Sequence, residues 1–168
     1  GAGTVVSGST TAPEVLADGR LVLGGTLANR GAVVANGTVD LQASQSLANA
    51  GTITLDRLTV TGSQTRNSGA ITARTAALTT TGIDNSSGTL DVAGPLTLTT
   101  QNLANVDGAL RHTGQEALQI DVAQTLNNTA GEIASNGVDL RITAQTVDNT
   151  DGRIAHAVDA AKRFGIGG

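Results

Sequence analysis

The chain of 168 residues has no cysteine, methionine, tryptophan or tyrosine, only two prolines, and a single aromatic side chain, Phe164. The missing cysteines exclude a disulfide framework and a thiolate metal site. The missing aromatics leave no platform on which sugars stack, and they restrict a core to Val, Leu, Ile and Ala, which makes that core narrow and regular. Charge is scarce as well: 14% of residues are charged, the net charge is −4, and the 10 Lys and Arg residues are dispersed. Such a distribution lacks the basic patch of a nucleic-acid binder, so no nucleic-acid partner is expected. No aliphatic run exceeds five residues, far below the ~18 of a membrane-spanning helix, so no membrane span is expected, and the opening GAGTVV lacks a signal-peptide pattern.

What is abundant is Gly, Thr, Asn and Ser beside 39% hydrophobic residues, a mixture suited to strands and tight turns. The aliphatic residues recur too regularly for a disordered chain. The length fits one domain or one segment of a larger array.

A short motif returns seven times: LANRG, LANAG, TRNSG, IDNSSG, LANVDG, LNNTAG and VDNTDG. Its asparagines are Asn29, Asn49, Asn67, Asn85, Asn105, Asn128 and Asn149, at intervals of 20, 18, 18, 20, 23 and 21. A glycine follows each, at Gly31, Gly51, Gly69, Gly88, Gly108, Gly131 and Gly152. Asn and Gly both tolerate φ > 0, so the motif reads as a corner before an extended run, with Gly108 expected to need the left-handed region. These fourteen residues are assigned as structural corner positions.

Between corners the aliphatics alternate with period 2, the pattern of strands with one buried face. Ile53 and Leu55 lead to Leu58 and Val60, Leu90 and Val92 to Leu96 and Leu98, Leu110 to Leu118, Ile120 and Val122, and Ile133 to Val138, Leu140 and Ile142. A third inward set is Leu47, Ile83, Leu103, Leu126 and Val147. Antiparallel hairpins give no reason for one corner chemistry to return once per 20 residues, whereas a coiled solenoid passes the same corner once per circuit. The expected fold is all-β, a right-handed parallel β-helix of seven to eight rungs, with a β-sandwich or barrel as the alternative. Rungs ~4.8 Å apart would align the asparagine amides in one hydrogen-bonding column. The 23-residue interval needs extra room, for which RHTGQEA, residues 111–117, is the expected bulge. Residues 1–20 read as an incomplete N-terminal coil, 21–155 as the repeat array, and 156–168 as a C-terminal tail or cap in which Phe164 could cover an open end.

No constellation of catalytic residues emerges. A β-helix hydrolase or lyase needs charged groups clustered on neighbouring rungs, but Arg57, Arg74, Arg111, Arg141 and Arg153 fall at +6, +5, +3, +10 and +1 from their corner glycines. Asp107 and Asp151 precede corner glycines with Ala130 between them, as turn-favouring acids do. His112 and His156 lack partners at metal-ligand spacing and read as exposed loop or strand residues. No Ser or Thr has a His and acid partnership, and no glycine-rich stretch has the context of a phosphate loop. Thr-x-Thr pairs raise ice binding, yet the outward column between the middle-strand aliphatics reads Asp40, Thr59, Ala77, Thr97, Asp121, Arg141, which is mixed. No catalytic, metal or cofactor residue is assigned, and no cofactor is expected.

The aliphatic-x-Asn-x-(x)-Gly-x-Ile/Leu corner at this period, as in LANAGTI, IDNSSGTL and VDNTDGRI, resembles the haemagglutinin repeats of filamentous-haemagglutinin-type exoproteins over residues 21–155. That family comprises long Gram-negative surface proteins exported by two-partner secretion, among them adhesins and the stick-like exoproteins of contact-dependent growth inhibition. The resemblance implies a β-helical filament segment at the cell surface or secreted, without catalytic residues and monomeric. It implies an outer-membrane two-partner secretion transporter as partner of the full-length protein, and a host-cell or neighbouring-bacterium receptor engaged outside this segment. The family's secretion domain, with its NPNG-like motif, is not visible here. The alternative function is a carbohydrate-active β-helix enzyme, a polysaccharide lyase or hydrolase.

Overall fold

The computed structural model describes residues 14–15, 20–23, 25–34, 40–157 and 163–167, and none of these is helical. The chain winds as a parallel β-solenoid in coils of about 20 residues. Among the described residues the exception to parallel pairing is Glu14–Val15, which runs antiparallel to Arg20–Leu23.

Three parallel sheets run the length of the coil, one per side. The first follows the Asn/Gly corner and stacks Ala32–Val34, residues 52–55 and 70–73, Thr89–Val92, Ala109–His112, Glu132–Ser135 and Arg153–His156. The second has seven successive pairings and therefore eight levels, from Arg20–Leu23 through Asp40–Ala43, 57–62, 75–80, 96–100, 118–122 and Asp139–Thr143 to Arg163–Gly167. The third leads into the next corner, from Thr26–Asn29 and Ser46–Asn49 to Thr146–Asp148. Alternation sets what faces inward, because successive side chains of a strand point to opposite sides.

The core is a set of aliphatic columns one residue wide. On the second sheet Leu58, Ala76, Leu96, Leu118 and Leu140 are in register, and two residues on so are Val60, Leu78, Leu98, Ile120 and Ile142. On the first sheet Ile53, Ile71, Leu90, Leu110 and Ile133 align. All of these are buried. Each Leu or Ile so placed contributes about 1.5–3 kcal/mol by burial, and stacking like on like lets each rung fill the hollow left by the last. Thr65 interrupts the third column, between Leu47 and Ile83, and its buried hydroxyl has no hydrogen-bond partner.

The structure corrects several details. Arg111 and His112 belong to the strand rather than to a bulge. The three extra residues of the long interval are divided, two lying in the 113–117 connection and one in a bulge opposite Thr100 to Asn102, where the register passes from Val122 to Thr125. A solenoid absorbs insertions where neighbouring rungs are not hydrogen-bonded, so sheet register is spared. Val138 and Val147 are 44% and 39% exposed rather than interior. Val138 sits in the turn just before Asp139–Thr143, and Val147 lies on Leu126 in the last level of the third sheet among the described residues. Arg163–Gly167 continues the second sheet, with Phe164 in backbone register with Leu140. Residues 1–13, 16–19, 158–162 and 168, which carry parts of the N-terminal coil and C-terminal tail, lie outside the described residues.

Two substitutions in the columns should act with opposite sign. Leu98→Asp, which places an unpaired carboxylate in a fully buried position, should lower unfolding free energy by several kcal/mol, about 4 or more. Thr65→Val, which removes the orphaned hydroxyl at nearly constant volume, should raise it by about 1 kcal/mol. Denaturant titration followed by circular dichroism measures both, and a neutral Leu98→Asp would show the register to be wrong.

Candidate functional site

Six of the buried polar side chains among the described residues are asparagines of the recurring corner. Each of its asparagines from Asn29 to Asn128 is buried, and each donates its Nδ2 to the Oδ1 of the asparagine one rung on. The six bonds of this ladder, Asn29 to Asn49 and so on to Asn149, are 2.6–2.7 Å long. Except at Asn67, each Nδ2 also points at the carbonyl of its own corner glycine, and each except that of Asn149 points at a carbonyl at the start of the next rung. For Asn105 these acceptors are Gly108 O at 3.3 Å and Glu132 O at 3.0 Å. An amide supplies two donors and an acceptor in one plane, so one side chain ties the backbone of its own corner to that of the next rung and joins the asparagines on either side. Neither serine nor leucine could do so.

The glycines serve a different need from the one the sequence suggests. None of the corner glycines has positive φ; in the last four corners that conformation falls on the residue before, at Ser87 (59°), Asp107 (52°), Ala130 (52°) and Asp151 (53°). In those corners the chain makes a β-turn closed by the glycine N–H on the asparagine carbonyl, as from Gly108 to Asn105 at 3.2 Å. Glycine is required by crowding. A Cβ on Gly108 would lie 2.2 Å from Asn85 O, the backbone of the rung before. The expected left-handed glycine is thus corrected to a close-approach glycine, with the left-handed residue one position earlier. The first three corners are one residue shorter and have no such residue.

Outward charges pair from rung to rung. Arg74 bonds Asp56, and Arg66 bonds Asp84 at 3.1 Å. Glu132 bonds both Arg111, at 3.0 Å, and Arg153, at 2.9 Å, while Arg111 reaches Asp91 at 4.0 Å. The Arg111 hydrogen bond, with Arg153 adding to it, holds the Glu132 carboxyl below its ordinary range. Hydrogen bonding to Arg74 does the same for Asp56. At Asp84 burial works upward, and hydrogen bonds from Ser86 and Arg66 outweigh it; at Asp148 Thr150 is the main cause of a lowered value. A glycosidase acid needs the reverse, a carboxyl held protonated near neutrality. Among the described residues no three His, Asp or Glu side chains gather as a metal site would require.

An open groove of about 490 Å³ is lined by Thr61, Gly62, Thr79–Thr81, Thr99–Gln101 and Ala123. It holds hydroxyls and an amide but no titratable group. The register corrects the outward columns here. Gln42 and Gln119, not Asp40 and Asp121, align with Thr59, Ala77, Thr97 and Arg141. Asp121 instead stands in a column of Thr61, Thr79, Thr99 and Thr143, so a run of three threonine rungs is interrupted by a carboxylate.

His112 is the largest departure from expectation. It is 1% exposed, its Nδ1 lies 3.0 Å from Ser135 Oγ, and it stands in register with Val92. The alternation places it inward, two positions after Leu110, and that spacing was the available signal. His156 is partly buried, with Nε2 donating to Gly137 O at 2.8 Å.

No protein-family model, curated protein or solved structure matches the chain.

Two measurements separate the corner's components. Asn105→Ala, which strands the donors and acceptors of Asn85 and Asn128, should cost about 2–4 kcal/mol of stability. Gly108→Val should cost about 3 kcal/mol or more by collision with Asn85 O, whereas Asp107→Gly should be neutral or stabilising by up to about 1 kcal/mol because it relieves a left-handed non-glycine residue. The reverse order, with Asp107→Gly the more damaging, would return the conformational requirement to position 108.

Proposed function

We propose that this chain is a non-enzymatic structural shaft segment of a bacterial surface-exposed or secreted filamentous exoprotein, of the adhesin or contact-dependent inhibition kind, which holds distal functional parts away from the cell. One observation carries the reading. Every side chain that recurs with the repeat is consumed in stacking one rung on the next, the asparagines in the ladder and the aliphatics in the columns. A solenoid built this way adds height in proportion to its length and folds by adding each rung to the one before, which suits a chain exported unfolded through an outer-membrane two-partner secretion transporter. The carboxylates paired with arginines are held below their ordinary range and the groove is lined by no titratable side chain, which favours the shaft over a polysaccharide lyase or hydrolase. The receptor contacts of such a protein then belong to regions outside this segment.

Deleting residues 85–104 joins Asp84 to Asn105 and removes one coil between positions that are already equivalent, since Ala104 and Asp84 are in register. The shortened chain should fold and lose ~4.8 Å of length by small-angle scattering, and neither form should cleave a panel of polysaccharides. Cleavage that one outward-facing substitution abolishes would replace the shaft with the enzyme.

A further inference from the structure

Among the described residues His112 is the one titratable side chain buried in the core; the other buried polar groups are Asn, Thr and Ser. It lies on an inward column whose earlier members, Leu55, Ala73 and Val92, are apolar and whose later members, His112, Ser135 and His156, are polar. We propose that this column makes the solenoid acid-labile from one end: protonation of His112 loosens the rungs after Asn105, while the aliphatic rungs before it stay wound.

Ser135 Oγ accepts the N–H of Gly137 at 3.1 Å and stands 3.0 Å from His112 Nδ1. In the neutral tautomer whose Nδ1 receives the Ser135 O–H, the imidazole proton is on Nε2. That nitrogen is buried without a hydrogen-bond partner. A second proton turns Nδ1 into a donor, reverses the Ser135 hydroxyl, and sets a cation between Val92 and Ser135 in an aliphatic interior.

Little nearby compensates for that charge. On its own strand Arg111 points outward and is held by Glu132, and on the strand before it Asp91 also faces outward toward Arg111. The next strand offers the neutral Ser135, and the one after it His156, whose Nε2 is already engaged with Gly137 O. The buried side chains of the second sheet at these levels, Leu96, Leu118 and Leu140, are apolar. Glu116, in the 113–117 connection, favours the cation but is exposed and screened by solvent. Burial therefore pushes His112 below its ordinary value, with the Gly94 backbone and Glu116 opposing without reversing the shift.

The sign follows by linkage. A histidine whose folded value is depressed contributes its full stability above the unfolded value of about 6.5 and loses it as pH falls toward the folded value, because the unfolded chain binds the proton first. Asp56, Asp84, Glu132 and Asp148 are shifted downward, so their contributions fade only as pH falls below about 4. The two windows are separate.

The test combines denaturation of the chain between pH 8 and pH 5 with residue-resolved hydrogen exchange and NMR titration of the His112 ring. The unfolding constant should rise up to about tenfold per pH unit below about 6.5, His112→Val should abolish most of that rise, and exchange at low pH should quicken after Asn105 but not between residues 41 and 104. The ring should titrate below free histidine. A pH-independent unfolding constant, an equal rise in His112→Val, uniform exchange, or a ring that titrates at or above the free value would each overturn the proposal. The ring titration and exchange profile decide it on the unsubstituted chain even if His112→Val fails to fold.

Discussion

The amide of the corner asparagine is the constraint on which the rest depends. It can bond the next asparagine only if the two rungs stand in register at this point, and the six bonds of 2.6–2.7 Å fix that register along the coil. Because Nδ2 reaches the glycine carbonyl of its own rung and backbone of the next, the backbones are drawn into contact. Glycine follows from this: at Gly108 a β-carbon would occupy the place of Asn85 O. Ladder and glycine are two parts of one close approach, and neither is favourable without the other, since an unpaired buried amide costs what a paired one supplies.

With one corner pinned, the others are free to vary. The 18-residue coils use a single residue, Asp56 or Arg74, to pass from the first sheet to the second, and these two residues pair with each other. The longer coils spend their extra residues at the same place, at the left-handed position before the glycine, or in the bulge after Val122. None of these changes disturbs the aliphatic columns, because each strand re-enters with its inward residues on those of its neighbour. Tolerance of rung length and strictness of stacking are therefore compatible: the first concerns connections, the second hydrogen-bonded strands.

Chemistry on the outside follows the same vertical logic. Several charged residues find a partner on the rung above or below, as in Asp91, Arg111, Glu132 and Arg153, and such pairing holds the Glu132 carboxyl below its ordinary range. Exposed pairs of this kind add little to stability. The interior departs from aliphatic uniformity mainly at Thr65 and at His112 with Ser135, and these are the places where neighbouring rungs differ in what they demand of solvent and pH.

The sequence by itself determined the class of fold, the period, the corner and most of the inward residues. Those properties are local and repeat, so a 20-residue spacing of Asn and Gly and an alternation of Leu, Ile and Val carry them seven times over. It misassigned features set by the neighbouring rung. Gly108 and Asp107 are equally plausible left-handed residues from sequence, and only the proximity of Asn85 O shows which needs to lack a β-carbon. Leu118, Ile120 and Val122 leave two outward positions between them, and the sequence alone points to Asp121 where the inter-rung hydrogen bonds align Gln119 with Thr97. His112 read as a solitary polar residue, yet its place between Val92 and Ser135 is inward. A residue's face is written in its own strand, but what it touches lies about 20 residues away along the chain, and only the stacking of one coil on the next brings that neighbour into contact.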